Sequence, residues 1–77
     1  MLVAIFADPV NGALPWRRIE ALLLALGAEK DEGQGSAVSF FLMGHRADFH
    51  RPHLGKDALR YRVVAVREFL NKAGITP

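Results

Sequence analysis

The segment DFHRPH, residues 48–53, places Asp48, His50, Arg51 and His53 within six positions. Imidazole is the side chain best able to take and give a proton near neutral pH. Two imidazoles beside an arginine are residue types that suit metal-free cleavage of RNA. RNA carries its own nucleophile, the 2′-hydroxyl beside each phosphate. A protein need add only a base, an acid and a cation to meet the charge that develops on phosphorus. His50 and His53 are the candidates for proton transfer, and Arg46 and Arg51 for charge. Asp48 and His50 stand at i and i+2, so on a strand they share a face, where the carboxylate could orient the imidazole. The same residues also read as an ordinary strand end, with surface histidines at a proline bend.

Other chemistries are narrower. The chain has three histidines and no cysteine, which removes disulfides, thiolate zinc sites and cysteine nucleophiles. His45 and His50 are separated by roughly 16 Å of extended chain, too far to share one ion. His50, His53 and Asp48 match no standard metal spacing. No metal and no small-molecule cofactor is expected. GQGS, residues 33–36, is too short for a phosphate-cradling glycine loop, and Ser36 reads as a turn serine. Arg46, Arg51, Lys56, Arg60 and Arg62 surround the strand end and the loop after it. They form a candidate RNA-binding set that would hold phosphates without sequence preference.

At 77 residues the chain is a single domain, residues 1–77. A domain of this size buries only about 60% of its unfolded surface, so partner binding matters to it. The hydrophobic fraction of 51% is that of a globular chain. No apolar run approaches the length of a membrane span. The start, MLVAIFADPV, lacks the basic region of a signal peptide. A cytoplasmic protein is expected. The net charge of +2 is unevenly placed. Residues 1–43 hold three Lys/Arg and five acids, a balance of −2, whereas residues 44–77 hold seven and three, a balance of +4. The positive second half points to an anionic partner, nucleic acid or an acidic protein, although an incidental solvated face has the same signature.

The elements that position these residues follow from periodicity. Pro15 suits the first turn of a helix. Trp16, Ile19, Leu22, Leu23 and Leu26 then recur at helical spacing, and Gly27 closes the helix. Residues 28–32 predict a short charged edge strand and residues 33–36 a turn. In AVSFFLM, residues 37–43, Val38, Phe40 and Leu42 point one way and Ser39 and Phe41 the other. Gly44 and His45 fit a two-residue hairpin turn. RADFH returns as the paired strand. Ala47 and Phe49 then face the helices, and Arg46, Asp48 and His50 face outward. Residues 53–59 predict a loop. A second helix follows, with Val63, Val66, Phe69, Leu70 and Ala73 as its apolar stripe and Gly74 as its cap. The segment LVAIFA, residues 2–7, fits either a short helix or a strand against the core. The class is α+β, order αβββα: a three-stranded antiparallel sheet with two helices on one face, as in a double-stranded-RNA-binding domain.

Three stretches in this order, PWRRIEALLLALGAE, GQGSAVSFFLMGHRADFHRPH and VREFLNKAGITP, resemble the HicA family of bacterial toxins over nearly the whole chain. The opening IFADPV is similar to one branch of that family. The resemblance implies the αβββα fold and a small messenger-RNA endonuclease, neutralised by a HicB-type antitoxin that covers its active face. The family's catalytic histidine follows the glycine-serine turn. Here that position reads Ala37, or Val38 on a shifted alignment, and the similar branch often lacks the histidine as well. Three explanations stay open. His50 or His53 serves instead, the protein binds RNA or antitoxin without cleaving, or Ala37 is an introduced inactivating substitution.

Overall fold

The computed structural model describes residues 1–53 and 56–77. The loop expected over residues 53–59 thus includes two residues, 54 and 55, that lie outside the described ones. The elements run α1 (Leu2–Ile5), α2 (Trp16–Ala25), β1 (Glu29–Glu32), β2 (Ala37–Leu42), β3 (His45–His50) and α3 (Arg60–Lys72). The sheet is antiparallel with order β1-β2-β3. The αβββα order is present, preceded by the short α1. Among the described residues no helix is long and apolar enough to cross a membrane.

Strand alternation builds the core. Val38, Phe40, Leu42 and Phe49 are buried on one face of the sheet, because side chains at i and i+2 fall on the same side. The apolar stripes of α2 (Trp16, Ile19, Leu23) and α3 (Val63, Val66, Phe69, Leu70) close over that face in one cluster. Trp16 tilts against Phe49 at 5.3 Å between ring centroids, and Phe49 meets Phe40 edge-on at 6.2 Å. Tilted aromatic pairs of this kind add about 0.5–1.5 kcal/mol to the area they bury. Both long helices end on a glycine. The N–H of Ala28 reaches the carbonyl of Leu23 and that of Ile75 the carbonyl of Leu70, the six-to-one bond that satisfies the last turn.

The residues before α2 join the core through backbone pairing. Trp16, Ala58 and Leu59 donate their N–H groups to the carbonyls of Lys56, Leu14 and Gly12. The chain entering α2 therefore runs antiparallel to the chain entering α3. A Cβ on Gly12 would lie 2.8 Å from the Arg60 nitrogen, so the bare backbone there permits the close approach. Arg67 of α3 holds α1 in place. Its guanidinium donates to the carbonyl oxygens of Ile5 and Ala7, which would otherwise be unpaired at the end of a one-turn helix.

The hairpin turn differs from expectation. Leu42 pairs with His45, so the two turn residues are Met43 and Gly44, not Gly44 and His45. Both have positive φ, 51° and 79°, the combination of a type I′ turn, whose twist matches that of the flanking strands. Sequence reasoning passed over Met43 because methionine seldom occupies this region. The left-handed conformation costs most residues about 1–2 kcal/mol, and asparagine less. Met43 is 73% exposed, so its side chain contributes little burial. Met43→Asn is therefore expected to stabilise the fold by about 0.5–1 kcal/mol, raising Tm by several degrees in a domain this small. Thermal unfolding followed by circular dichroism checks it.

Candidate functional site

The glycine-serine turn and the DFHRPH segment meet at one end of the sheet. Ala37 opens β2 and pairs directly with His50, the last residue of β3. Beyond that pair the Arg51 N–H donates to the Ser36 carbonyl at 2.9 Å. Ser36 Oγ lies 3.3 Å from His50 Nδ1, so the turn serine holds one ring nitrogen. Nε2 of His50 has no partner among the described residues. The Arg62 Nε–H donates to the His50 carbonyl at 2.6 Å, fixing the strand end from α3. His50 and His53 are both exposed, while His45 stands at the opposite end of β3.

Asp48 does not serve the imidazole. It accepts hydrogen bonds from Ser39 Oγ, its cross-strand partner, and from Arg46 Nε at 2.8 Å. These two donors, the hydroxyl foremost, hold its carboxyl below the usual range. A directly opposed residue is about 5 Å away between Cβ atoms, whereas His50 is two strand positions along, about 7 Å. The nearer hydroxyl takes the carboxylate.

Arg51 is likewise committed. Its guanidinium donates to both oxygens of Glu20 on α2 (2.7 and 3.0 Å) and to both oxygens of Glu32 on β1 (2.6 and 3.0 Å). Glu20 also accepts from the Trp16 indole N–H, and Lys30 stands 3.4 Å from Glu32. The planar fork of arginine suits two carboxylates at once. Glu20 first and Glu32 second raise the basicity of Arg51 further. In return the Arg51 hydrogen bond holds the Glu32 carboxyl at about 2, against 4.5 ordinarily. Arg51 thus ties α2, the edge strand and the end of β3 together.

The five cations expected to form one RNA-binding set are consequently dispersed. Arg46 lies over the Phe41 ring at 5.5 Å on the open face of the sheet. Arg51 is in the carboxylate cluster, and Arg62 stacks on Tyr61 at 4.7 Å while holding the His50 carbonyl. Arg60 borders a hollow with Asn11 and Gly12. Lys56 joins two basic residues from outside that set, Arg17 and Arg18, around a cleft of about 520 Å³ at the start of α2, with Pro15, Trp16 and Pro52 in its walls. Asp57 and Arg51 complete that lining. The paired arginines at the head of α2 were a legible signal that sequence reasoning left aside. Glu20, Glu32 and Ser36 carried none, because their partners are distant in the chain. Among the described residues no three histidine, aspartate or glutamate side chains gather as a metal set.

A family model described as the HicA toxin of bacterial toxin–antitoxin matches residues 16–75, from α2 to just past the end of α3. The chain belongs to the HicA toxin family. This HicA protein is accordingly the toxin of a bacterial toxin–antitoxin system, and an antitoxin is its implied partner. No curated protein matches it, and no solved structure does. The match leaves out the first fifteen residues, so α1 lies outside the region that the HicA family model covers, whereas Arg67, which clasps it, lies inside.

Proposed function

We propose that this HicA toxin binds and cleaves messenger RNA in the cytoplasm without a metal, and that a HicB-type antitoxin neutralises it by covering the strand end. The observation that carries the reading is the pairing of Ala37 with His50. Resemblance to the family expects the catalytic histidine at position 37, or at 38 on a shifted alignment, and of the two only 37 is not buried in the core. Cross-strand neighbours share a face, with Cβ atoms about 4.5–5.5 Å apart. An imidazole on β3 at position 50 therefore reaches much the same space as one on β2 at position 37. Histidine is absent from one strand and present on the other.

In this reading His50 Nε2 takes the proton of the 2′-hydroxyl while Ser36 holds Nδ1. The 2′-oxygen bonds to phosphorus and the bond from phosphorus to the 5′-oxygen breaks. The departing oxygen takes a proton from the imidazolium of His53, leaving a 2′,3′-cyclic phosphate and a 5′-hydroxyl. Ala37 in place of histidine favours the second reading, a module that binds RNA or antitoxin without cleaving. Induced expression with and without a neighbouring HicB-like gene separates them. Arrested growth with fragmented messenger RNA, relieved by the second gene, is the expected result. Intact RNA, whether growth stops or not, removes the cleavage reading and supports the module.

A further inference from the structure

The open face of the sheet is poorly suited to a polyanion. By strand register Glu29 and Asp31 of β1 share it with Asp48 and Arg46 of β3, so carboxylates outnumber cations there. Arg46, the cation named, is already engaged with Asp48. The cleft at the head of α2 has the opposite character. Arg17, Arg18 and Lys56 are exposed at its rim, and none of the three makes an ion pair among the described residues. Asp57 is the one acid in its lining. Its walls include the rings of Pro15 and Pro52, flat apolar surfaces of the kind on which a base or ribose rests. A volume of about 520 Å³ accommodates a single nucleotide. Pro52 also joins the cleft to His53, the next residue, and follows Arg51, whose hold on Glu20 fixes one wall.

We propose that this cleft is a nucleotide subsite: it seats one residue of a single-stranded RNA against Pro15 and Pro52, with the flanking phosphates on Arg17, Arg18 and Lys56. The proposal rests on the RNA reading above and adds which surface takes the strand. The RNA lies along the α2 side of the strand end and passes round that end from the Pro52–His53 side to His50 on the outward face of β3, rather than running over the sheet. An acidic peptide would meet the same cations, and competition by polyglutamate separates it from RNA.

The test uses the full chain and a labelled single-stranded RNA oligomer, titrated at several salt concentrations. Each phosphate neutralised contributes a slope of about −0.7 in log affinity against log salt. Replacing Arg17, Arg18 and Lys56 with alanine should weaken binding at least about tenfold and make the slope shallower by about 2. Replacing Arg46 should do neither. Trp16 is the sole tryptophan and borders the cleft, so uridine monophosphate should change the fluorescence of the unsubstituted protein, a readout that needs no variant to fold. RNA bound with an unchanged slope in the triple variant, and no fluorescence response, overturns the subsite and leaves the RNA reading standing. No binding of RNA by the unsubstituted protein removes both. A polyglutamate peptide that displaces the nucleotide more readily than RNA does would make the cleft a protein-docking site and overturn the proposal.

Discussion

Replacing His50 with alanine is expected to lower the rate of RNA cleavage by on the order of a hundredfold or more. The effect is large because His53 is already assigned the acid's part and no other neighbouring group can take up the base's. Asp48 is held by Ser39 and Arg46, and His45 is at the far end of β3. His45→Ala should therefore leave the rate unchanged, and EDTA should change it little. Ser36→Ala should cost less than His50→Ala, since it frees Nδ1 but leaves the imidazole in place. Register supplies a sharper test. Installing histidine at the paired position, Ala37→His, in the His50→Ala background should restore part of the lost activity, because both positions open on the same space. One RNA is cut by each variant, with circular dichroism showing that each is folded. Equal rates for the unsubstituted protein and His50→Ala would take His50 out of the mechanism. No cleavage by either, with RNA still bound, would leave a binding module.

Replacing Arg51 with methionine should destabilise the fold by about 3 kcal/mol, the cost of stranding a carboxylate away from water. Glu20 is only 8% exposed. Without the guanidinium its remaining partners are the Trp16 indole and Lys30 at 4.0 Å. For a domain this small, about 3 kcal/mol lowers Tm by roughly 12–24 °C and is a large part of the total stability. Arg51→Lys should recover only a fraction, since one ammonium cannot bridge two carboxylates in the same plane. The acid dependence changes as well. Glu32 has a depressed pKa in the folded state, so its contribution is present above about 4.5 and is lost as pH falls toward about 2. The Tm of the unsubstituted protein should drop between neutral pH and about pH 3, and the drop should be smaller in Arg51→Met, where Glu32 has lost its main donor. Thermal unfolding at both pH values reads both effects. An unchanged Tm at neutral pH would mean that the cluster is a solvated surface contact.

This structural role changes how the DFHRPH segment is understood. The arginine at its centre points to neither phosphate nor imidazole; it braces the strand end against α2 and the edge strand. The histidines on either side are carried by that brace. Loss of Arg51 would thus reduce activity through the fold, and stability must be measured beside cleavage to tell the two apart.

What the sequence alone determined here rests on local, periodic signals. The 3.6-residue spacing of Trp16, Ile19 and Leu23 specified α2. The two-residue alternation through Val38, Phe40 and Leu42 specified β2 and its buried face. Gly27 and Gly74 marked where helices stop. These signals sufficed for the αβββα order; the family was legible separately, in the resemblance of three stretches of residues in sequence. They also put His50 and Arg46 on the outward face of β3. Partner choice was decided only by tertiary structure. Whether Arg51 meets a phosphate or Glu20 depends on residues thirty-one positions apart in the chain, and no periodicity encodes that distance. The one-residue shift of the turn onto Met43 depends on strand pairing, because a type I′ geometry can override the preference of a single residue when the flanking ladder is held by the core. The placement of His50 opposite Ala37, and of Arg17 and Arg18 beside Lys56, likewise exists only after the strands are in register and the two chains entering α2 and α3 have paired. Short-range side-chain preferences set the elements. Electrostatic pairs form only between groups that the folded backbone brings within a few ångströms, since in water a charge separated by more than about 8–10 Å is largely screened.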